Sequence, residues 1–188
     1  MRLFVALMLG ARWGDALTDV QRRVRRHDPR SGVRWVDAAN IHLTLRFLGE
    51  VEAATVAPLV TAFARAIAGA APPVIAPAAL GAFPTPRRPR VIWVGITETG
   101  LRLDALHTRV EAAVGDLGWQ AETRPFHPHL TLGRVRDPRR VSPEFSAGLA
   151  TEPVPTWEPG PVTRVALVRS HLSTGGARHE ALQVWQLA

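Results

Sequence analysis

The chain has 188 residues and 46% hydrophobic side chains, which is enough for one domain with a sizeable core. It contains no cysteine, so disulfides and thiolate metal sites are excluded. The net charge is +7, from 23 basic and 16 acidic residues, and every basic residue is arginine. Such a surplus suits a polyanionic substrate, although a genome-wide compositional bias gives the same count. No apolar run reaches the length of a membrane span, and we expect a cytoplasmic protein.

The first half of the chain is predicted to alternate strands with two helices. The apolar run at residues 2–9 predicts a strand rather than a signal peptide, because charged residues follow it at once. Residues 14–27 have the periodicity of a helix, with an inner face formed by Leu17, Val20, Gln21 and Val24. The remaining elements expected here are a turn at 28–32, strands at 33–36 and 41–48, and a helix at 52–68.

The second half repeats this order of a helix, a short strand and a longer strand. A basic loop rich in proline, residues 83–89, is predicted to join two strands. A basic loop and a short helix are expected within 137–150, followed by a proline-rich connector. The predicted strands are 74–82, 90–96, 119–123, 128–135, 162–170 and 179–187, with a helix at 99–117 and a final turn at 173–176. Antiparallel strands mixed with helices predict an α+β fold.

One four-residue motif occurs twice, since residues 42–45 and 129–132 both read His-Leu-Thr-Leu. Both copies lie in alternating apolar runs, which predict half-buried strands whose side chains alternate between two faces. His42 and Thr44 then share one face, and the leucines point into a core. A single copy is often only a strand with a hydrogen-bonded histidine. Two copies, one in each half, indicate a duplicated unit whose pseudo-twofold axis would bring the imidazoles together across a groove.

Two facing histidines suit acid–base chemistry near neutral pH. An imidazole has an ordinary pKa of about 6.5, so one ring can accept a proton while the other donates one. The hydroxyls of Thr44 and Thr131 add hydrogen-bond donors beside the rings. Arg134 lies at an odd offset from His129 and would face away on a flat strand, but a bulge near Gly133 could turn it back. Such donors around one point suit a phosphoryl group.

The paired His-x-Thr-x motifs resemble the signature of the 2H phosphoesterase superfamily. The surrounding sequence is similar to its bacterial LigT-like branch, the RNA 2′,3′-cyclic phosphodiesterases, over nearly the whole chain. The stretches that carry this similarity are residues 2–6, 35–36, 42–50, 83, 89–95, 126–134, 167–172 and 175–176. One departure is His179, where this branch often has tyrosine. The resemblance implies one domain over residues 1–188, with two similar pseudo-twofold lobes, mainly antiparallel sheets, helices outside and a central active-site groove.

The resemblance also implies a reaction, the hydrolysis of a 2′,3′-cyclic phosphate at an RNA or oligonucleotide end to a 2′-phosphate. His129 is expected to accept the proton of the attacking water and His42 to donate a proton to the departing O3′, although the motifs alone are symmetric in these roles. Thr44 and Thr131 are expected to bind the non-bridging oxygens, and Arg134 to offset their charge. The branch includes 2′-5′ RNA ligation by the same chemistry in reverse. We expect no metal or other cofactor, and a monomer whose partner is RNA or an oligonucleotide with that end.

Three alternatives remain open from the sequence. His127, His129 and His42 could hold a zinc ion, and loss of activity with a chelator would favour that reading. A non-catalytic nucleotide- or RNA-binding module would bind tightly without turnover, although both histidines and both threonines are present. A 2H enzyme for another cyclic phosphate, such as a cyclic ADP-ribose derivative, would carry the same motifs.

Overall fold

A computed structural model describes residues 1–30, 32–173 and 176–188, which form nine strands and four helices. The strands are β1 Arg2–Met8, β2 Val33–Trp35, β3 His42–Glu50, β4 Val74–Thr85, β5 Arg88–Glu98, β6 His129–Val135, β7 Gly160–Pro161, β8 Arg164–Ser173 and β9 Gly176–Gln186. The helices are α1 Gly14–Arg25, α2 Val56–Ile67, α3 Arg102–Gly115 and α4 Pro143–Thr151. The predicted α+β class is confirmed.

All nine strands belong to one sheet, in which every pairing is antiparallel. The strand order is β7-β4-β5-β6-β3-β1-β8-β9, and β2 pairs with β6 beside this path. The two motif strands, β3 and β6, are therefore central neighbours, joined where Leu43 pairs with Leu130. The two halves of the chain thus contribute to one continuous curled sheet.

One face of the sheet packs against the helices. The motif leucines Leu43, Leu130 and Leu132 are fully buried in a core that includes side chains of all four helices. Helix α1 buries the four residues predicted for its inner face. Among them, Gln21 donates from Nε2 to the carbonyl oxygens of Val36 and Leu132, at 2.6 and 2.8 Å. These bonds attach the helix to the second motif strand. Because the helices pack on this face, the opposite face of the sheet is available for the groove.

Local sequence signals explain where several elements begin. The carboxylate of Asp28 accepts the N–H groups of Gly32 and Val33, at 2.9 and 3.1 Å, and so closes the predicted turn before β2. Helix α4 begins after Ser142, whose hydroxyl accepts the N–H of Phe145 at 3.2 Å. Within the predicted turns, Ser31, Thr174 and Gly175 lie outside the described residues.

Two sequence predictions differ from the structure. The predicted strand at 119–123 is wrong, because this segment adds no ladder to the sheet and contacts β3 through side chains instead. Arg46 donates to the carbonyl of Gln120, and Trp119 Nε1 donates to the carbonyl of Leu48 at 3.1 Å. The predicted loop at 83–89 is mostly paired strand with a turn at 86–87, because Pro84 and Pro89 oppose each other beside an irregularity that tolerates proline.

The helices are slightly shorter than predicted. Residues 53–55 form a separate 3₁₀ turn before α2, and α3 begins only at Arg102. The buried stripe of α2 consists of Leu59, Phe63 and Ile67. No helix in the described parts of the chain is both long and apolar enough to cross a lipid bilayer.

Candidate active site

The two motif strands present their histidines and threonines on the face opposite the core. In β3, His42 and Thr44 are half-buried while Leu43 is fully buried, and the same alternation holds in β6. Because Leu43 pairs with Leu130 in antiparallel register, His42 lies beside Thr131, and Thr44 lies beside His129. The structure thus brings together the four motif residues that the sequence singled out.

A bulge returns Arg134 to the same face. Thr131 pairs with Trp93 of β5 and Gly133 pairs with Ile92, so Leu132 is the extra residue of the bulge. Because of this bulge, the odd offset between His129 and Arg134 no longer places Arg134 on the opposite face, which is the effect expected from the sequence for a bulge near Gly133. The guanidinium lies close enough to His42 and His129 for its charge to lower the pKa of both rings.

The two imidazoles are oriented in the same way. His42 Nδ1 lies 2.8 Å from the carbonyl oxygen of Asn40, and His129 Nδ1 lies 2.7 Å from that of His127. A carbonyl only accepts, so each Nδ1 carries its hydrogen and donates it. Each Nε2 is then the atom that gains or loses a proton, and in the described residues neither Nε2 has a hydrogen-bond partner. This is the tautomer required for proton transfer through Nε2.

Aromatic rings surround each imidazole. Phe4 of β1 stacks on His42 with ring centroids 4.7 Å apart, and His179 of β9 contacts His42 edge-on at 5.0 Å. On the other side, the ring of His129 meets Phe83 edge-on at 5.0 Å and Trp93 at 6.4 Å. These walls limit the motion of both histidines and exclude water from part of the groove.

Phe4 and His179 were not among the site residues predicted from the sequence. Phe4 alternates with the buried residues Leu3 and Val5, which places its ring on the groove side of β1. That signal is local, but the pairing of β1 with β3 is not readable from the sequence. His179 stands in the last strand, and only the pairing of β9 in the sheet brings it to His42.

The pKa of His42 is lowered to about 4. Burial is the main cause, and the charges of His179, Arg134 and His129 add to it, whereas the hydrogen bond to Asn40 opposes it. Three positively charged or chargeable groups therefore surround one ring. A bound anion would reverse this effect, because negative charge favours the protonated imidazole.

Burial also lowers the pKa of the other groups in the groove. For His129 the charges of Arg134 and His127 act in the same direction, and the bond to the His127 carbonyl opposes them. The pKa of His179 is lowered by burial and by Arg134. The pKa of Arg134 itself is lowered by burial and by the charge of Arg2. The groove is therefore electropositive, which suits a phosphate.

The three histidines of the zinc alternative do not form a metal site. His127 contacts His129 through its backbone carbonyl. In residues 1–30, 32–173 and 176–188, no three histidine, cysteine or carboxylate side chains lie where they could hold a metal ion. The role of His127 that the structure supports is to orient the ring of His129.

The family model described as LigT like Phosphoesterase matches the chain twice, at residues 11–93 and at residues 94–178. Each match contains one His-Leu-Thr-Leu motif. The chain belongs to the LigT-like phosphoesterase family. The resemblance stated from the motifs is thereby confirmed.

Relatives of this LigT-like phosphoesterase include proteins named RNA 2′,3′-cyclic phosphodiesterase. The one from Thermus thermophilus is 33% identical over 195 residues, which cover 100% of this chain and 90% of the relative. The one from Aeropyrum pernix is 36% identical over 117 residues, which cover 58% of this chain and only 61% of the relative. The A. pernix match therefore spans about three fifths of that protein.

A solved relative of this LigT-like phosphoesterase shows the same fold. The crystal structure of E. coli LigT complexed with 3′-AMP has a TM-score of 0.75 and 28% sequence identity, and the match covers 99% of this chain and 97% of that chain. The α+β fold class agrees with this similarity.

Proposed function

We propose that this LigT-like phosphoesterase hydrolyses the 2′,3′-cyclic phosphate at the end of an RNA or oligonucleotide and leaves a 2′-phosphate. The observation that carries this proposal is the matched orientation of His42 and His129, each with Nδ1 bound to a carbonyl and Nε2 free. The names of the T. thermophilus and A. pernix relatives support the substrate class.

The arrangement suits an in-line displacement at phosphorus. Attacking and leaving oxygens lie on opposite sides of the phosphorus atom in such a reaction. Two imidazoles on neighbouring antiparallel strands can approach one phosphoryl group from two sides, one as base and one as acid. A phosphate held between them would be met by Thr44, which lies beside His129, and by Thr131, which lies beside His42.

The proposed steps balance in atoms and protons. Water attacks phosphorus while His129 Nε2 accepts its proton, and the P–O3′ bond breaks while His42 Nε2 donates a proton to O3′. The product is a 2′-phosphate with a free 3′-hydroxyl. Thr44 and Thr131 donate hydrogen bonds to the non-bridging oxygens, and Arg134 offsets the charge that grows on them.

Two related activities would use the same residues. If a 5′-hydroxyl attacks the cyclic phosphorus in place of water, a P–O5′ bond forms while the P–O3′ bond breaks and O3′ takes a proton, which joins two RNA ends by a 2′-5′ linkage. A cyclic ADP-ribose derivative would present the same phosphoryl group to the histidines. A non-catalytic binding role would leave the free Nε2 atoms without a function. We favour RNA hydrolysis because the relatives named above act, by name, on RNA.

We also propose that the protein acts as a monomer and in the cytoplasm. All the site residues named above come from one chain, so the groove needs no second copy to complete it. Size-exclusion chromatography with light scattering, run with the active protein, tests the oligomeric state.

The function is tested by turnover of a short RNA that ends in a 2′,3′-cyclic phosphate, with EDTA present throughout. We expect the wild type to form a 2′-phosphate, and His42→Ala and His129→Ala to be slower by about a hundred- to ten-thousand-fold, the usual contribution of general acid–base catalysis. Wild-type protein that converts no RNA would overturn the proposed function.

A matched histidine variant serves as the control. His171 of β8 contacts Glu180 at 2.6 Å. Its neighbour Ser170 pairs with His179, which faces the groove, so strand alternation places His171 on the opposite face of the sheet. His171→Ala should retain wild-type turnover. Activity that survives in both motif variants would overturn the site assignment while leaving the RNA activity intact.

A further inference from the structure

Arg2 lies on the groove face of β1. Strand β1 pairs with β8 in regular register, so its side chains alternate without interruption. Leu3, Val5 and Leu7 are fully buried on the core side, which places Arg2 on the side of Phe4. The Phe4 ring stacks on His42 at 4.7 Å. Arg2 therefore stands two residues beyond a ring that touches the candidate acid, and its side chain is exposed.

Arg2 lies on the same side of the sheet as the site around Arg134. One residue beyond the pair Leu3–Arg169, Arg2 stands in the cross-strand row of Ser170 and His179, and His179 contacts His42 at 5.0 Å. In agreement with this placement, the charge of Arg2 lowers the pKa of Arg134. Within the described residues, neither guanidinium makes an ion pair with a carboxylate. Glu50 pairs with Arg2 across the strands, but its carboxylate contacts the N-terminal ammonium at 3.3 Å. Two neighbouring guanidiniums without a counter-ion repel each other, and a bound anion relieves that repulsion.

The two arginines differ in their distance from the histidines. The charge of Arg134 acts on His42, His129 and His179, as expected for a group beside the reacting phosphate. Arg2 lies on β1, two strands away from β6, which carries both His129 and Arg134. Arg2 therefore lies one step further from the site of chemistry than Arg134 does.

A nucleic acid strand presents a second anion at such a position, because each nucleotide carries one negatively charged phosphate. An oligonucleotide whose terminal cyclic phosphate lies between the histidines has its next phosphodiester further along the groove. Guanidinium groups match phosphate oxygens in geometry and charge. A cyclic mononucleotide has no second phosphate and would leave Arg2 without a ligand.

We propose that Arg2, together with Arg134, forms a second phosphate subsite that binds the phosphodiester one nucleotide upstream of the reacting end. This inference rests on the proposed function, and it makes the substrate an oligonucleotide rather than a cyclic mononucleotide. Within this subsite Arg2 contributes to substrate binding alone, and the chemical step belongs to the motif residues and Arg134.

The test compares two cyclic substrates, uridine 2′,3′-cyclic phosphate and a diuridylate with the same cyclic end. We expect Arg2→Gln to raise KM for the dinucleotide about tenfold, as for the loss of one charged hydrogen bond, and to leave kcat unchanged. Both constants for the mononucleotide should stay at wild-type values. Arg65→Gln, an exposed residue of α2, removes the same charge away from the groove and should affect neither substrate.

A binding measurement separates this inference from the proposed function, because it needs no turnover. Calorimetric titration with uridine 3′-phosphate and with diuridylate 3′-phosphate gives the affinity added by the second phosphate. That gain should vanish in Arg2→Gln, and the slope of log Kd against log salt for the dinucleotide should flatten by about 0.7. Equal losses on both ligands, or no loss on either, would overturn the second subsite. Wild-type binding without hydrolysis would overturn only the proposed reaction.

Discussion

Phe47 and Arg134 occupy equivalent positions in the two motif strands. Each lies five residues after its motif histidine, and each follows a bulge at the motif's last leucine. In β3 the extra residue is Leu45, because Thr44 pairs with Ala6 and Arg46 pairs with Val5. Phe47 is 55% exposed, an unusual position for a phenylalanine. The two halves thus repeat a backbone irregularity, but one places a cation beside the groove and the other an aromatic ring.

A shared bulge at the same motif position is what an internal duplication would leave behind. The two matches of the family model, one in each half of the chain, support the same history. The single bilobal domain with one motif in each half remains our prediction. Because Phe47 and Arg134 differ, the two halves of the groove share a backbone irregularity but carry different side chains at this position.

The pH dependence of kcat/KM should lie on the acidic side of the usual histidine range. The pKa values of His42, about 4, and of His129 are both lowered in the free protein, and kcat/KM reports the free protein's groups. The active form has one ring protonated and the other neutral. We therefore expect kcat/KM to decrease at pH values above the pKa of His129 and at pH values below the pKa of His42. This holds whichever ring is the acid.

The profile of kcat should lie at higher pH than that of kcat/KM. A bound phosphate anion raises the pKa of both rings, so the protonated acid persists to higher pH in the complex. Both profiles come from initial rates between pH 3.5 and 9 at constant ionic strength. A kcat/KM that is flat from pH 5 to 9 would contradict the two-histidine mechanism.

Replacing His179 by phenylalanine should move the acidic limb of kcat/KM to higher pH. A protonated His179 lowers the pKa of His42, and the phenyl ring keeps the edge-on packing without the charge. The measurement is the kcat/KM profile of His179→Phe beside that of His171→Phe, a histidine outside the groove. An unchanged limb with a uniformly lower rate would mean that His179 acts only by packing.

Removing the Arg46 side chain should lower the free energy of unfolding by about 2–3 kcal/mol. Arg46 is only 10% exposed and contacts both carboxylate oxygens of Glu111, at 2.9 and 3.2 Å, besides the carbonyl of Gln120. Arg46→Ala leaves the partly buried Glu111 carboxylate with only longer contacts, to the N–H of Glu122 at 3.4 Å and to His107 Nε2 at 3.8 Å. Urea unfolding, followed by tryptophan fluorescence, gives the change.

The control for Arg46 is an arginine whose ion pair lies in solvent. Arg124 pairs with Glu122 at 2.9 Å and is 82% exposed, so water screens the interaction. Arg124→Ala should have the unfolding midpoint of the wild type. Identical midpoints for Arg46→Ala and Arg124→Ala would show that the Arg46 contacts add nothing to stability.

A methyl group at Gly133 should disturb both the fold and the site. A Cβ there would lie 2.7 Å from Cγ1 of Val33, which is too close, and 3.2 Å from the carbonyl oxygen of Arg34, which is a tight contact. Gly133→Ala should therefore cost about 1–3 kcal/mol of stability. It should also lower kcat/KM, because the bulge that aims Arg134 at the groove includes this residue.

Gly14 is the matched glycine. A Cβ there meets no atom within 4 Å, and the residue opens helix α1 with helical dihedral angles. Gly14→Ala should leave kcat/KM unchanged and raise the free energy of unfolding by up to about 1 kcal/mol. If Gly133→Ala behaves like Gly14→Ala in both measurements, the close contact of residue 133 with β2 has no effect on stability or on kcat/KM, and the prediction is wrong.

Local periodicity accounts for what the sequence could predict. The helices and motif strands follow from apolar spacing, and the inner face of α1 was predicted residue by residue. Strand pairing is different, because partners distant in sequence decide it. The neighbours of His42 illustrate this, since Phe4 comes from the first strand and His179 from the last. No local sequence pattern predicts the curl of the sheet, which brings His179 of β9 into contact with His42 of β3.

The position of β1 affects how the protein folds during synthesis. Strand β1 lies between β3 and β8, and Leu3 pairs with Arg169. A growing chain can pair β1 with β3 early, but the other edge of β1 stays open until β8 has left the ribosome. Open edges of apolar strands invite pairing with other chains, and contacts so distant in sequence form slowly. A nascent chain of this protein can therefore pair wrongly with another chain until β8 has been synthesised and covers the open edge of β1.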